Sequence, residues 1–186
     1  MSVLGLDISS SMIGVAVAER NEDGKIVPTF LDHIRLDNID GIFNKHDYVV
    51  KRLTEMMQAG HFHSVTDSAV EAPLLGFQSQ KSSADTIITL IRMNILVLLT
   101  VRAMFGKDPT FISSSTARKL AGVKVQRTSV AGKNAKEQVF EHMCKHDLSH
   151  VSWPLRKLGK RKGEPVELAR DMTDAWVIAK ARVQQG

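Results

Sequence analysis

The sequence contains a single cysteine and has no internal repeat or low-complexity tract. Cys144 therefore cannot form an internal disulfide, and the first residues lack the cationic, apolar and small-residue segments of a secretion signal. The most apolar stretch, residues 86–105, is interrupted by Arg92, Asn94 and Arg102, so its longest uncharged run falls far short of the roughly 20 residues that a membrane span needs. We therefore expect a cytoplasmic protein without a membrane anchor, in which this stretch is a helix of the core or of a dimer interface.

Length and composition indicate one folded domain. With 186 residues and 43% hydrophobic content, the chain can bury one substantial core, whereas a second full domain would be unusual. We therefore predict a single domain over residues 1–186.

The net charge of +5 hides a strong asymmetry along the chain. Residues 107–163 contain thirteen lysines and arginines but four acids, a net charge of +9, which leaves −4 for the remainder. A basic surface beside an acidic site suits a polyanionic substrate, because lysines and arginines neutralise phosphates and release counterions. The alternative is that these charges only keep the surface solvated. Within this region, residues 149–164 carry three glycine or proline residues and five basic residues, which predicts a basic loop.

The pattern of hydrophobic residues predicts an α/β fold. Three strands open the chain, and the Asn-Glu-Asp-Gly segment at 21–24 predicts a hairpin turn, so the first three strands should be antiparallel. Strands and helices then alternate, which predicts a mixed five-stranded sheet flanked by helices. The predicted strands are Ser2–Ile8, 13–19, 26–36, 64–71 and Thr110–Ile112. The predicted helices are 42–59, Ala84–Phe105, a short helix capped by Ser113, Ser114 or Ser115 that ends at Leu120, 135–145, and a last helix that includes 171–179.

Four carboxylates lie where burial makes an acid costly. Asp7 and Glu71 each close an apolar run that is predicted as a buried strand, and the spacing of Asp171 and Asp174 places both on one face of a helix. Carboxylates gathered at the edge of a core need cations to offset their repulsion and desolvation. Two Mg²⁺ ions, or Mn²⁺ in their place, would meet this need, because hard cations prefer oxygen ligands and a two-metal site suits in-line attack on a phosphodiester. Taken alone, Asp171 or Asp174 could instead complement the dipole at a helix N-terminus.

The stretches around these acids resemble a known family. The order of an aspartate at the end of the first strand, a glutamate at the end of a later strand and Asp-x-x-Asp on the last helix is similar to that of the RuvC-type Holliday-junction resolvases of the ribonuclease H-like superfamily. Residues 4–16, 69–72 and 171–175 carry the likeness, and residues 133–139 resemble the segment in which these resolvases have a lysine followed by a Gln-Val pair. The resemblance implies a ribonuclease H-like fold. It also implies a structure-selective DNA endonuclease that cuts four-way junctions symmetrically, with two metal ions, leaving 5′-phosphate and 3′-hydroxyl ends in recombination, repair or debranching of replicated DNA.

The resemblance also implies roles for individual residues. Asp7 would bridge both metal ions, Glu71 and Asp174 would complete the ligand shells, and Asp171 would ligate a metal or orient the attacking water. Lys136 matches the lysine of the family that lies beside the active site, where a cation can hold the phosphate or stabilise developing charge. Because a resolvase cuts two opposed strands, the resemblance implies a homodimer with two sites.

Several basic residues and one aromatic residue are candidates for DNA binding. Phe77, with Leu74 and Leu75 as lesser candidates, could act as the wedge that unstacks bases at the crossover, or it could be a loop residue packed on the core. An exposed, solvated side chain is the alternative for each basic residue taken singly. The basic candidates are Lys124, Arg127, Lys133, Lys136, Lys160, Arg161 and Lys162.

The chain departs from the bacterial pattern at two places. It has Ile8-Ser9 where those enzymes have Pro-Gly, and Leu74 where they have an aromatic residue. Together with the basic stretch at 157–162, these departures resemble viral or phage-encoded members. We expect a cytoplasmic protein associated with the nucleoid, or one in the host cytoplasm if it is phage-encoded.

Three other functions are compatible with parts of the sequence. One is another ribonuclease H-like nuclease that cuts RNA–DNA hybrids, flaps or forks, and a second is a junction-binding module that has lost its chemistry. The third is a phosphotransferase, because residues 4–15 also resemble the first phosphate-binding hairpin of the actin and sugar-kinase superfamily. The short chain, without a second Gly-rich phosphate loop, argues against this third function, and we expect no nucleotide cofactor.

Overall fold

A mixed sheet of five strands forms the centre of the fold. The computed structural model describes residues 1–72, 84–158, 162–163 and 165–186. The strands are β1 Ser2–Ile8, β2 Met12–Arg20, β3 Ile26–Arg35, β4 Asp67–Glu71 and β5 Thr110–Ile112. Their order is β3-β2-β1-β4-β5, with β2 antiparallel to both β1 and β3, β4 parallel to β1, and β5 parallel to β4. The predicted fold class is therefore confirmed.

Helices cover both faces of this sheet. They are α1 Ile42–Gln58, α2 Ala84–Phe105, α3 Ser114–Leu120, α4 Thr128–Ala131, α5 Ala135–His146 and α6 Glu167–Gln185. One hydrophobic cluster joins a face of the sheet to α1 and α2, and a second cluster joins the other face to α3, α5 and α6. Because both faces are covered, every residue of the central strand β1 is buried.

The alternation of side chains along β1 decides which residues face α6. Leu4 and Leu6 belong to the cluster of α1 and α2, whereas Val3 belongs to the cluster of α6. Because successive side chains of a strand point to opposite faces, Gly5 and Asp7 lie on the α6 face with Val3.

The backbone of α6 packs directly on this face. A Cβ atom on Gly5 would lie 2.4 Å from the carbonyl oxygen of Ala175, and a Cβ atom on Gly14 would lie 2.1 Å from the carbonyl oxygen of Asp171. Only glycine permits such an approach. Gly14 is also the cross-strand partner of Asp7, so the two glycines bring the acidic part of α6 immediately beside Asp7.

Three local features differ from the sequence-based prediction or refine it. β4 begins at Asp67 instead of residue 64, because residues 61–64 form turns that place Phe62 in the core. The four-residue helix α4 lies in a segment predicted as loop, and a helix this short has no periodicity to detect. The cap of α3 is Ser113, whose side chain accepts a hydrogen bond from the Thr116 backbone N–H.

α2 is apolar on more of its surface than the fold covers. Met93, Val97 and Val101 are buried against α1 and the sheet, whereas Ile95 and Leu99 are more than half exposed. By length and composition α2 could cross a membrane, with 28% of its apolar window buried; one such helix is weak evidence, since core helices of soluble proteins meet the same criteria. The buried face agrees with the expected core helix, while the dimer and the absence of a membrane anchor remain predictions.

Candidate active site

Three of the four predicted acids meet where β1 contacts α6. Asp7 on β1 and Asp174 on α6 are 9% and 8% exposed, and Asp171 lies one turn before Asp174 on the same helix face. One carboxylate oxygen from each aspartate lies within 4.8 Å of the other two. The shared face predicted from the spacing of Asp171 and Asp174 is therefore present, and it is directed at Asp7.

Lys136 projects from the first turn of α5 into the middle of these carboxylates. Its Nζ atom lies 3.0 Å from Asp171 Oδ1, 3.2 Å from Asp174 Oδ2 and 3.7 Å from Asp7 Oδ2. The Lys136 ammonium donates a hydrogen bond to Asp171. One cation thus bridges three carboxylates from two different elements.

The start of α5 is fixed by its own capping contacts. The Asn134 side chain accepts a hydrogen bond from the Glu137 backbone N–H, and the Glu137 side chain accepts one from the Asn134 N–H, which is a capping box. Arg170 on α6 also contacts Glu137, with Nη2 3.2 Å from Oε1. These contacts hold the Lys136 backbone beside α6, so the position of its ammonium follows from α5 and α6 together.

Burial and mutual repulsion shift the ionisation of this cluster. Burial raises the pKa of Asp7 well above its usual value; Lys136 lowers it, and the negative charges of Asp174, Glu71 and Asp171 raise it. Burial likewise raises the pKa of Asp174, with Lys136 again opposing the shift. For Lys136, burial alone would lower the pKa, but the charges of Asp7, Asp174 and Asp171 raise it above that of an ordinary lysine. Burial and the repulsion between the acids therefore outweigh the effect of Lys136 on the pKa of Asp7 and Asp174.

Glu71 lies beside the three aspartates and has its own partner. It is the last residue of β4, and its Oε1 accepts a hydrogen bond from the hydroxyl of Ser114, the first residue of α3. Its charge raises the pKa of both Asp7 and Asp174, so it faces the same site. The structure thus gathers the four predicted acids at one place, with Glu71 held from the α3 side.

Ser114 and Arg118 are site residues that the sequence did not reveal. The three serines at 113–115 predicted only a helix cap, but β5 runs parallel to β4 and pairs Ile112 with Glu71, which places Ser114 next to that carboxylate. Arg118, one turn later on α3, lowers the pKa of Asp174 by its positive charge. The signal that could have found both residues is the pairing of the two strands that precede them.

The helix-dipole interpretation does not account for the two aspartates of α6. α6 begins at Glu167, so Asp171 and Asp174 both lie beyond its first turn. The favourable effect of a helix N-terminus on an acid is confined to that first turn. Their burial next to Asp7 therefore needs a different explanation, of which the contacts with Lys136 supply a part.

The donor set fits a divalent cation. All of the ligand atoms are carboxylate oxygens, which Mg²⁺ and Mn²⁺ prefer. The three aspartate oxygens lie within 4.8 Å of one another, which is near the separation of at most about 4.2 Å between oxygens bound to one Mg²⁺. The cluster of Asp7, Asp171 and Asp174 could therefore hold a metal ion, with Glu71 close enough to influence it.

The predicted DNA-binding residues that the structure describes lie in three places, one of which is the acid cluster with Lys136. Lys124, Arg127 and Lys133 are exposed on the segment around α4, and Lys133 is paired with Glu141 at 2.5 Å. Lys162 is exposed in the basic loop at 149–164. Phe77, Leu74, Leu75, Lys160 and Arg161 lie outside the described residues.

The comparisons with known proteins agree with this geometry at the level of fold. No protein-family model matches the chain, and no curated protein matches its sequence. The structure of Thermus thermophilus RuvC in complex with a Holliday junction substrate superposes with a TM-score of 0.64 at 14% identity, covering 99% of this chain and 94% of that chain. Thermus thermophilus RuvC in a separate structure gives the same TM-score at 16% identity. The yeast mitochondrial Holliday junction resolvase Ydc2 superposes with a TM-score of 0.57 at 16% identity over 98% of this chain and 77% of that chain. The chain therefore has the fold of the RuvC-type resolvases, as the four sequence stretches predicted.

Proposed function

We propose that this protein is a DNA endonuclease that resolves four-way junctions by metal-dependent hydrolysis of phosphodiester bonds. The observation that carries the proposal is the cluster of Asp7, Asp171 and Asp174 around Lys136, at the contact of β1 and α6. Buried acids in excess of their cations are costly, and a catalytic metal site gives a reason for that cost. The fold, shared with solved Holliday junction resolvases, supports the same reaction class.

Each acid has a distinct task in this proposal. Asp7 on the central strand would be shared by the two metal ions, and Glu71 on β4 and Asp174 on α6 would complete their ligand shells. Asp171 is the most accessible of the three aspartates, with a side chain 16% exposed, and would ligate a metal ion or orient the attacking water. When bound to these carboxylates, Mg²⁺ or Mn²⁺ supplies a Lewis acid that acidifies water and offsets charge on the scissile phosphate, giving 5′-phosphate and 3′-hydroxyl ends.

The basic region supports DNA as the substrate. Lys124 and Arg127 are exposed on the segment that follows α3, and Arg118 on α3 lowers the pKa of Asp174 by its positive charge. Lysines and arginines at such positions neutralise backbone phosphates and hold the strand in register over the acids. Lys162 extends the same charge to the loop before α6.

A second copy of this chain is the partner that the exposed face of α2 fits. Ile88, Ile95 and Leu99 recur at spacings of seven and four residues, so they form one stripe along the helix, and they are 44%, 51% and 56% exposed. Symmetric cleavage of two opposed strands needs two identical sites related by a two-fold axis. Pairing of two α2 stripes would bury these residues and supply that arrangement.

The test is cleavage of a labelled, mobile four-way DNA junction, compared with linear duplex and with an RNA–DNA hybrid, in Mg²⁺ or in EDTA. Asp7→Asn should lose cleavage by more than about 100-fold while retaining junction affinity, because the variant keeps the basic surface and loses a metal ligand. Asp37→Asn is the matched control, since Asp37 is an aspartate paired with Arg35 away from the site. Paired, symmetric, metal-dependent nicks support the proposal. Cleavage of hybrid alone would assign the protein to another ribonuclease H-like activity, and no cleavage of any substrate would leave a junction-binding module.

A further inference from the structure

The Lys136 ammonium lies among the carboxylate oxygens that a metal ion would use. Its three contacts are with Asp171 Oδ1, Asp174 Oδ2 and Asp7 Oδ2, one oxygen from each acid of the cluster. All three distances are between 3.0 and 3.7 Å, so the ammonium is shared among the acids. Lys136 is therefore a resident cation of this cluster.

A divalent cation and this ammonium would compete for the same oxygens. A Mg²⁺ ion bound to them at about 2.1 Å would fall within a few ångströms of Nζ, where two positive charges repel strongly in a partly buried site. The side chain of Lys136 is 47% exposed, and its flexible four-carbon stem can turn outward. The capping box of Asn134 and Glu137 keeps the backbone of α5 in place during such a movement.

We infer that Lys136 is an exchangeable cation, which competes with the metal for Asp7, Asp171 and Asp174 and is released from them when the metal binds. This inference rests on the proposed metal-dependent function and adds a regulatory step to it. While Lys136 occupies the cluster, it stabilises the buried acids and weakens their affinity for metal. After release, its ammonium is free to contact a phosphate of the DNA bound over the site. Metal loading and phosphate contact are thereby coupled through one side chain.

Removal of a competing lysine changes metal affinity in the opposite direction from removal of a lysine with either of two simpler roles. A lysine that only maintains structure would, when removed, lower stability and leave metal affinity unchanged or weaker. Removal of a lysine that helps indirectly to bind the metal would also weaken metal affinity. A competitor, in contrast, lowers stability when removed but strengthens metal binding.

The experiment measures metal binding and thermal stability without DNA. Wild type, Lys136→Met and Lys145→Met would be stripped with EDTA, dialysed at pH 8 and titrated with Mn²⁺ by calorimetry. Lys145 is an exposed lysine on the same helix and serves as the matched control. We expect Lys136→Met to melt at a lower temperature in EDTA and to bind Mn²⁺ about fivefold or more tightly, a coupling within the usual range for two ligands of one protein. Lys145→Met should match wild type in both measurements.

A second measurement uses the wild-type protein and so does not depend on the folding of a variant. Lysines are labelled briefly with an amine-reactive ester, with and without saturating Mg²⁺, and quantified by mass spectrometry. Labelling of Lys136 should rise with Mg²⁺, because the amine leaves the carboxylates, while labelling of Lys145 stays constant. Unchanged or reduced labelling of Lys136, or Mn²⁺ affinity in Lys136→Met equal to or weaker than wild type, would overturn the inference alone. Failure of the wild type and of Lys136→Met to bind metal would overturn both the inference and the proposed metal-dependent cleavage.

Discussion

The two long helices α6 and α2 are buried in the opposite order to their apolar content. α6 contains two aspartates near its middle, yet most of its residues from Met172 to Val183 are buried. α2 is the more apolar helix, yet 28% of its apolar window is buried. The difference arises from the sheet, because Gly5 and Gly14 admit the backbone of α6 onto the central strands, whereas α2 contacts α1 and the sheet through a single face.

This contrast shows that each helix requires a different kind of partner. The charged groups of α6 find partners inside the chain: Asp171 and Asp174 contact Lys136, Lys180 contacts Asp147 at 2.7 Å, and Arg182 contacts Asp67 at 2.7 Å. The exposed apolar stripe of α2 is covered by no described part of the chain. The polar helix is therefore tied to the fold and to the candidate site, whereas the apolar helix keeps an exposed apolar stripe.

The largest effect should follow from separating α6 from the sheet. Gly14→Val places side-chain atoms where the carbonyl of Asp171 lies, so either α6 must move away or β2 must distort. We expect a loss of about 3 kcal/mol or more in the free energy of unfolding, measured by urea denaturation. Because α6 carries two of the acids, the variant should also bind metal poorly. An unchanged unfolding midpoint would mean that α6 does not pack as closely as the structure shows.

The next effect concerns association through α2. The double substitution Ile95→Glu and Leu99→Glu puts two charges on the exposed stripe, so it should abolish the proposed dimer while changing the stability of the fold by less than about 1 kcal/mol. Sedimentation velocity would measure the oligomeric state. Val130→Glu is the control, since Val130 is an exposed apolar residue on α4, away from the stripe. A wild type that sediments as a monomer at all concentrations would contradict pairing by α2.

The sequence predicts the polar and apolar faces of these two helices, but it does not predict the close packing of α6 on the sheet. The apolar excess of residues 86–105 and the shared face of Asp171 and Asp174 follow from periodicity, which local sequence determines. The close approach of α6 depends on Gly5 and Gly14 meeting Ala175 and Asp171, which are more than 150 residues away, and no local pattern reports such a contact.

The candidate site shows the same division between local and long-range information. The four acids and Lys136 were identified from motifs, but the position of the ammonium inside the cluster depends on how α5 lies against α6. Ser114 was recognised only as a cap candidate, because the pairing of β4 with β5 decides that it contacts Glu71. The start of β4 was predicted three residues early, because its apolar pattern continues into the turns at 61–64.

A smaller effect concerns how folding stability depends on pH. It should differ between an acid whose pKa burial raises and an acid whose pKa a partner lowers. Burial raises the pKa of Asp7 above the usual value of 3.8, so between that value and the raised pKa the folded state retains a proton that the unfolded state releases. Folding stability contributed by Asp7 is therefore lost as pH rises through this window. In EDTA, Asp7→Asn should gain melting temperature relative to wild type as pH rises above about 3.8, and the gain should level off above the raised pKa.

The control for this pH profile is Asp37, whose pKa is shifted the opposite way. A hydrogen bond from Arg35 lowers the pKa of Asp37, so its contribution is stabilising above pH 3.8 and is lost as pH falls through the lowered pKa. Asp37→Asn should therefore show no gain in melting temperature at neutral pH. Thermal melts of both variants from pH 3 to pH 8 would compare the two signs directly, and parallel profiles would contradict the burial argument for Asp7.

The smallest effect compares an ion pair at the end of each helix. Arg182 in the last turn of α6 contacts Asp67 with side chains 23% and 16% exposed, whereas Arg102 in the last turn of α2 contacts Asp108 with side chains 64% and 78% exposed. Arg182→Met leaves a largely covered carboxylate without its partner, so we expect a loss of about 1–2 kcal/mol in the free energy of unfolding. Arg102→Met removes a solvated pair and should cost less than about 0.5 kcal/mol. Urea denaturation at low and high salt would measure both losses. The loss of stability in the Arg182 variant should remain nearly as large at high salt, because salt screens a largely covered pair less. Equal losses for the two variants would show that the end of α6 is no more tightly bound to the fold than the end of α2, and the contrast between the helices would then be confined to the part of α6 that carries the acids.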